Sequence, residues 1–126
     1  MLNIEGINTG YGDLKVLFNV GLHVDEGEVV ALVGSNGAGK TTLLRAISGE
    51  VPLSCGSIHF GSTDLSRIPQ HKRAEIGICH IPQGRGILTT LTIKDNLILG
   101  SYSRRTKKKR NELIARSLDL FPILKE

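Results

Sequence analysis

The chain opens on alternation. In Leu2-Asn3-Ile4-Glu5-Gly6-Ile7 the apolar residues recur at every second position, the period of a strand with one buried face. Phe18-Asn19-Val20-Gly21-Leu22-His23-Val24 repeats the pattern, with Tyr11-Gly12 in a turn-like segment between the two. Asp25-Glu26-Gly27-Glu28 is a second turn signal. These elements predict a small antiparallel sheet. The pattern then changes. Val29-Val30-Ala31-Leu32-Val33 is a continuous, β-branched apolar run and predicts a strand buried on both faces. Thr42-Leu43-Leu44-Arg45-Ala46-Ile47-Ser48 reads as a helix that stops at Gly49. Beyond a loop marked by Pro52 and Gly56, Ser57-Ile58-His59-Phe60 predicts a short strand, closed by Gly61-Ser62-Thr63-Asp64. Pro69 suits the first turn of a helix reaching to about Glu75. Ile76-Gly77-Ile78-Cys79-His80-Ile81 reads as another strand, ending at Pro82-Gln83-Gly84. Thr92 with Asp95 makes a capping-box-like start for a helix over Ile93 to Leu99, although Asp stands where Glu is better. A last helix is predicted over about Lys107 to Leu120, with Leu113, Ile114, Leu118 and Phe121 on one face.

The segment between the buried run and its helix carries the chemistry. Gly34-Ser35-Asn36-Gly37-Ala38-Gly39-Lys40-Thr41 fits G-x-x-x-x-G-K-[ST] without a gap. A loop with few side chains can turn its backbone N–H groups inward around a phosphate chain. Gly34, Gly37 and Gly39 are expected to supply positive φ values and close approach. Lys40 is expected to reach the β- and γ-phosphates, and the Thr41 hydroxyl to be one ligand of an octahedral Mg²⁺. Strand, glycine loop and helix in that order put the phosphates at a helix N-terminus, where the helix dipole adds to the attraction. The motif therefore predicts a bound nucleotide. An ordinary glycine-rich turn is the simpler alternative.

At 126 residues one domain is the natural count. No run of roughly 18 uninterrupted apolar residues occurs, and no basic region followed by an apolar core opens the chain, so neither a bilayer span nor a secretory signal is expected. Cys55 and Cys79 are too few for a disulfide framework or metal site and read as reduced, partly buried thiols. The net charge of +4 is uneven. Residues 101–126 hold eight Lys and Arg against three Asp and Glu, while residues 1–100 hold eight against nine. Most of the excess is Arg104-Arg105-Thr106-Lys107-Lys108-Lys109-Arg110. It reads first as the solvated start of a helix. An anionic membrane surface or nucleic acid are the functional alternatives. No aromatic residues interleave with these charges as base-stacking platforms require.

Four segments together resemble one family: Tyr11-Gly12, then Gly34 to Thr42, then Ile81-Pro82-Gln83-Gly84-Arg85, then Leu91-Thr92-Ile93-Lys94-Asp95-Asn96-Leu97. They look like the ATP-binding subunits of ABC transporters. The Pro-Gln-Gly-Arg segment and the Ala-Gly-Lys-Thr-Thr-Leu-Leu run resemble the subunits serving branched-chain amino acid uptake, with urea or amide importers close by. The resemblance implies an α/β fold of the P-loop NTPase type. It comprises an N-terminal antiparallel β subdomain, a partial parallel sheet and the start of a helical subdomain. Residues 1–88 would be the nucleotide-binding core and 89–126 the incomplete helical part. It implies ATP and Mg²⁺ as ligands, with Tyr11 stacking on adenine. Gly34, Ser35, Asn36, Gly37, Ala38, Gly39, Lys40, Thr41 and Thr42 would hold the phosphates. Thr41 and Gln83 would be metal ligands, with Gln83 also orienting the attacking water. Arg85 and Gly86 would begin the segment facing a membrane partner. Transmembrane permease subunits and a second ATP-binding subunit, identical or related, are the implied partners. The implied location is cytoplasmic, peripheral on the inner face of the membrane, with no nucleic acid expected. A soluble ABC-type ATPase acting on nucleic acid or ribosomes is the alternative, resting on the basic run. A small-molecule kinase or GTPase shares only the phosphate loop.

Family members continue to a serine–glycine–glycine signature, a second apolar strand ending in Asp-Glu, and a switch histidine. None occurs in these 126 residues. His23-Val24-Asp25-Glu26 ends in Asp-Glu but precedes the phosphate loop, and Ser48-Gly49-Glu50 lacks the second glycine of the signature. The sequence therefore reads as the N-terminal portion of a longer ATPase.

Overall fold

The structure is a computed structural model that describes residues 1–84 and 86–125. Arg85, singled out above, lies outside the described residues. The chain divides into two compact units, Met1–His80 and Ile81–Glu126.

In the first unit, β1 (Leu2–Tyr11) and β2 (Leu14–Val24) form a hairpin. The other side of β1 pairs with β3 (Leu53–Phe60), and β3 pairs with the two-residue β4 (Thr63–Asp64). The order is β2-β1-β3-β4 and every pairing is antiparallel. The strands stand where alternation predicts them, but the buried face changes parity: register shifts interrupt β1 between Ile4 and Ile7, and in β2 Leu17 is buried while Phe18 is 65% exposed. Ile4 and Ile7 of β1, Leu17 of β2 and Ile58 of β3 are all buried. α1 (Lys40–Ser48) adds Leu43 and Ala46, three positions apart on one face, to the same core. Each large aliphatic side chain so buried contributes about 1.5–3 kcal/mol. Thr9 is completely buried, and its hydroxyl donates to the Pro52 carbonyl at 2.5 Å, which satisfies the one polar group the alternation turns inward.

The hairpin turn depends on one close approach. A Cβ at Gly10 would lie 1.9 Å from the Leu14 carbonyl oxygen, so no side chain fits without opening the turn. Gly10→Ala is expected to lower stability by about 1–3 kcal/mol, seen as a lower urea midpoint at unchanged slope.

Several expectations need correction. Residues 29–33 and 77–81 form no ladder with any described strand. Val29 is 95% and Val33 93% exposed, and Ile81 is 83% exposed. An apolar run is a buried strand only when neighbours pair with it on both sides, and none of the four paired strands does so. Of the two predicted runs, Leu32, Ile76 and Ile78 pack against the core. Ile76 instead ends a 3-10 turn, Ala74–Ile76. Pro69 is the N-cap of α2 (Gln70–Arg73) and stands just outside the helix. Cys55 and Cys79 are both exposed.

In the second unit, α3 (Ile93–Gly100) begins as predicted. The Thr92 hydroxyl accepts the Asp95 N–H at 3.1 Å and donates to the Asp95 carboxylate at 2.6 Å. The single last helix is divided into α4 (Arg104–Lys107) and α5 (Arg110–Leu120). Lys109 leaves helical geometry at φ −108°, ψ 16°. Arg104 and Lys108, and Arg105 and Lys109, are like-charged pairs at i,i+4 that oppose a continuous helix. Among the described residues none of these cations is paired with an acid. No helix among the described residues is long and apolar enough to cross a membrane.

Candidate nucleotide site

The glycine loop folds as a turn that runs directly into α1. Gly37 (φ 85°) and Gly39 (φ 91°) take left-handed conformations, as expected, but Gly34 does not. A Cβ at Gly34 would make only ordinary contact with Ala38, 3.5 Å away, so the need for glycine is weaker there. Gly39 is the most constrained position. It is the N-cap of α1, and a Cβ there would stand 2.6 Å from Leu17 Cδ2. Leu17 therefore lies close against the loop's last glycine, whose left-handed φ independently favours glycine there.

The N–H groups of this segment are largely free. Ala38 donates to the Ser35 carbonyl at 3.2 Å and Leu43 to Gly39 at 2.9 Å. Among the described residues no protein acceptor takes up the amides of Asn36, Gly37, Gly39, Lys40, Thr41 or Thr42. These are unsatisfied donors at the positive end of a helix, and they fit an anion with several oxygens. Lys40 Nζ donates back to the Gly34 carbonyl at 2.8 Å and the Ser35 carbonyl at 2.7 Å. The ammonium thus sits over the mouth of its own loop, satisfied by neutral oxygens that a phosphate could replace with stronger, charged ones.

Ser35, Asn36, Ala38 and Thr41 are exposed, Gly39 and Lys40 half-buried, and Thr42 buried. Thr41 and Thr42 therefore differ: the first is exposed beside the free amides, the second is buried. A single neutral hydroxyl suits a hard cation that takes most of its oxygens from phosphate and water. Among the described residues no cluster of three acidic, His or Cys side chains could hold a metal by itself.

Tyr11 ends β1 at the hairpin turn and is 43% exposed. Its hydroxyl accepts from Arg45 Nη1 of α1 at 3.1 Å. Thr42 and Arg45, both on α1, hold its phenol below the usual tyrosine pKa by hydrogen bonding to it. The loop and Tyr11 thus meet on one helix. Gln83 is exposed and belongs to the second unit.

The two look-alike motifs have structural roles. His23 Nε2 lies 2.9 Å from Asp25 Oδ1 at the end of β2. Ser48-Gly49-Glu50 closes α1, with Gly49 as a left-handed C-cap. Sequence reasoning misses two residues around α1. In the sequence Arg45 is only a helix position and Arg73 only part of a short helix, because each acts through partners far away in the chain.

Comparison with known proteins agrees with this geometry. The family described as "ABC transporter" matches residues 17–126. A probable branched-chain amino acid transport ATP-binding protein, LivF of Archaeoglobus fulgidus, is 33% identical over 125 residues, 99% of this chain and 52% of that protein. The high-affinity branched-chain amino acid transport ATP-binding protein BraG of Pseudomonas aeruginosa is 35% identical over 126 residues, 100% of this chain and 54% of that protein. The lipopolysaccharide export system ATP-binding protein LptB of Escherichia coli is 39% identical over 97 residues, 77% of this chain and 40% of that protein. Among solved structures, a nucleotide-free ATP-binding cassette from an ABC transporter superposes with a TM-score of 0.73 at 29% identity, covering 82% of this chain and 41% of that one. The chain spans about half the length of the curated relatives BraG and LivF.

Proposed function

This chain belongs to the ABC transporter family, and from that premise we propose that it supplies the nucleotide-gripping part of a transporter's ATP-binding subunit. The observation that carries the reading is the set of amides of Asn36, Gly37 and Gly39 to Thr42, unsatisfied among the described residues, at the N-terminus of a helix packed on the sheet through Leu43 and Ala46. ATP would lie with its phosphates on these amides and on Lys40, and with its adenine against the exposed face of Tyr11. Mg²⁺, held through the Thr41 hydroxyl and phosphate oxygens, would neutralise phosphate charge. Gln83 as a metal and water ligand rests on the family resemblance alone. So does the division into a nucleotide-binding core over residues 1–88 and the start of a helical subdomain over 89–126.

Branched-chain amino acid import is the favoured process, because two relatives so named match essentially the whole chain. Lipopolysaccharide export is the second reading, favoured by the LptB match, which covers a shorter stretch at higher identity. In either case the partners would be membrane permease subunits and a second ATP-binding subunit, with the protein peripheral on the cytoplasmic face.

Phosphoryl transfer needs positioning groups on both sides of the transferred phosphorus. The acidic strand end, signature and switch histidine of the family are not in this sequence. Calorimetric titration of the 126-residue chain with Mg-ATP is therefore expected to show binding, while phosphate release stays near the uncatalysed background. Turnover at the rate of complete transporters would refute the second expectation. Absence of any heat with ATP, ADP or tripolyphosphate would refute the site.

A further inference from the structure

We infer that Arg45 is a positioning residue for the base: its guanidinium pins the Tyr11 ring against α1, and Glu50 and His80 in turn pin Arg45. The inference rests on the proposed stacking of adenine on Tyr11 and deepens it.

The geometry is a chain of contacts across one side of the first unit. Arg45 Nη1 donates to Tyr11 Oη at 3.1 Å, and Arg45 Nε lies 3.5 Å from Glu50 Oε2. Glu50 Oε1 is 3.0 Å from His80 Nδ1 and accepts the Ser48 hydroxyl at 3.3 Å. The backbone makes this arrangement local on one side. After the left-handed Gly49, the Glu50 N–H returns to the Arg45 carbonyl at 2.9 Å and the Val51 N–H to the same oxygen at 3.3 Å. The helix's own C-terminal cap therefore sets the acid beside the guanidinium. His80, the last residue of the unit, reaches the same acid from thirty positions away.

Taken singly, half-exposed contacts of this kind contribute little. Their value here is in preorganisation. A tyrosine at the tip of a hairpin would otherwise sample several ring orientations, and a base that stacks on it would have to select one. A planar guanidinium held from both ends, acting with the Thr42 hydroxyl, restricts that freedom before the ligand arrives. Immobilising one such side chain in advance corresponds to about a two- to tenfold gain in affinity. The gain goes to the base and not to the phosphates, because Arg45 contacts Tyr11 and faces an acid that balances its charge.

The test compares ATP with inorganic tripolyphosphate, which has no base, using calorimetry on the full chain. Arg45→Gln keeps a helix-compatible polar side chain and is expected to weaken ATP about three- to tenfold while leaving tripolyphosphate unchanged. Tyr11→Phe, which keeps the ring and loses the hydroxyl, should do the same. The double variant should lose less than the two single losses combined, since both break the Arg45–Tyr11 contact, while Tyr11→Phe also gives up the Thr42 hydrogen bond. A nucleotide-free readout is ultraviolet titration of the phenol in a Tyr102→Phe background, where Arg45→Gln should raise the Tyr11 pKa. Parallel loss of tripolyphosphate binding, additive effects in the double variant, or an unmoved phenol would each overturn the positioning role. Tyr11→Ala separates the two levels. If it weakens ATP while Arg45→Gln is silent, stacking stands and positioning fails; if it too is silent, both fail.

Discussion

Lys40→Ala weakens ATP binding by at least about tenfold, the loss expected when charge-assisted hydrogen bonds of about 1.5–3 kcal/mol each are removed. In the structure the ammonium holds the Gly34 and Ser35 carbonyls. Truncation removes the cation that the phosphates would draw from these carbonyls. Lys40→Arg should recover part of the charge but not the fit, because a forked guanidinium cannot occupy the space of a point donor between two adjacent carbonyls. Calorimetry with ATP and ADP on the three proteins is the check. Equal affinity in the unaltered chain and the Lys40→Ala variant would remove the loop from the binding site. Thermal unfolding without nucleotide should differ little among them, since Lys40 is half-exposed and both its bonds lie within the loop.

The largest effect on stability is expected at Arg73. Its side chain is only 9% exposed and has no acidic partner among the described residues. It is instead spent on carbonyls. Nε donates to Ile68 at 3.1 Å, Nη2 to Leu65 at 2.9 Å, and Nη1 to Ala46 at 3.0 Å and also to Ile47. Ala46 and Ile47 are in the last turn of α1, where the Gly49 amide also donates to the Ala46 carbonyl. Arg73 therefore caps the helix that carries the phosphate loop and ties it to the turn after β4. Burial pulls the guanidinium below its usual pKa, yet it remains charged throughout the accessible range. Arg73→Ala leaves the Ile47 and Ile68 carbonyls without a protein donor among the described residues, while Ala46 and Leu65 keep the Gly49 and Ile68 amides, and is expected to destabilise the chain by about 3 kcal/mol. Arg73→Lys should recover only part of this, since an ammonium cannot span acceptors spread around a planar fork. Urea unfolding measures the difference, and a change below about 1 kcal/mol would show that water satisfies these carbonyls.

What can be read from the sequence follows the range of the interaction. The glycine loop, the Gly49 stop and the Thr92 cap are decided within a few residues, and each stands where the spacing put it. The β1–β2 hairpin is legible because alternation and a turn signal agree. The runs at 29–33 and 76–81 are not, because a strand's existence depends on partners elsewhere in the chain, and composition reports only the appetite for burial. The network around α1 is hidden for a related reason. Arg45 meets Tyr11 across 34 positions and Arg73 meets Ala46 across 27, and no local pattern marks such pairs. The fold class and family motifs are therefore open to reading, while the residues that brace the site are not.

Val29 and Val33, almost fully bare beside the loop, set a practical ceiling on handling the chain. A β-branched stretch that pairs with no strand among the described residues is adhesive toward its own kind. Crowding such molecules together favours clumping over ligand capture, so turbidity should climb with protein concentration and recede when a charged residue replaces Val29.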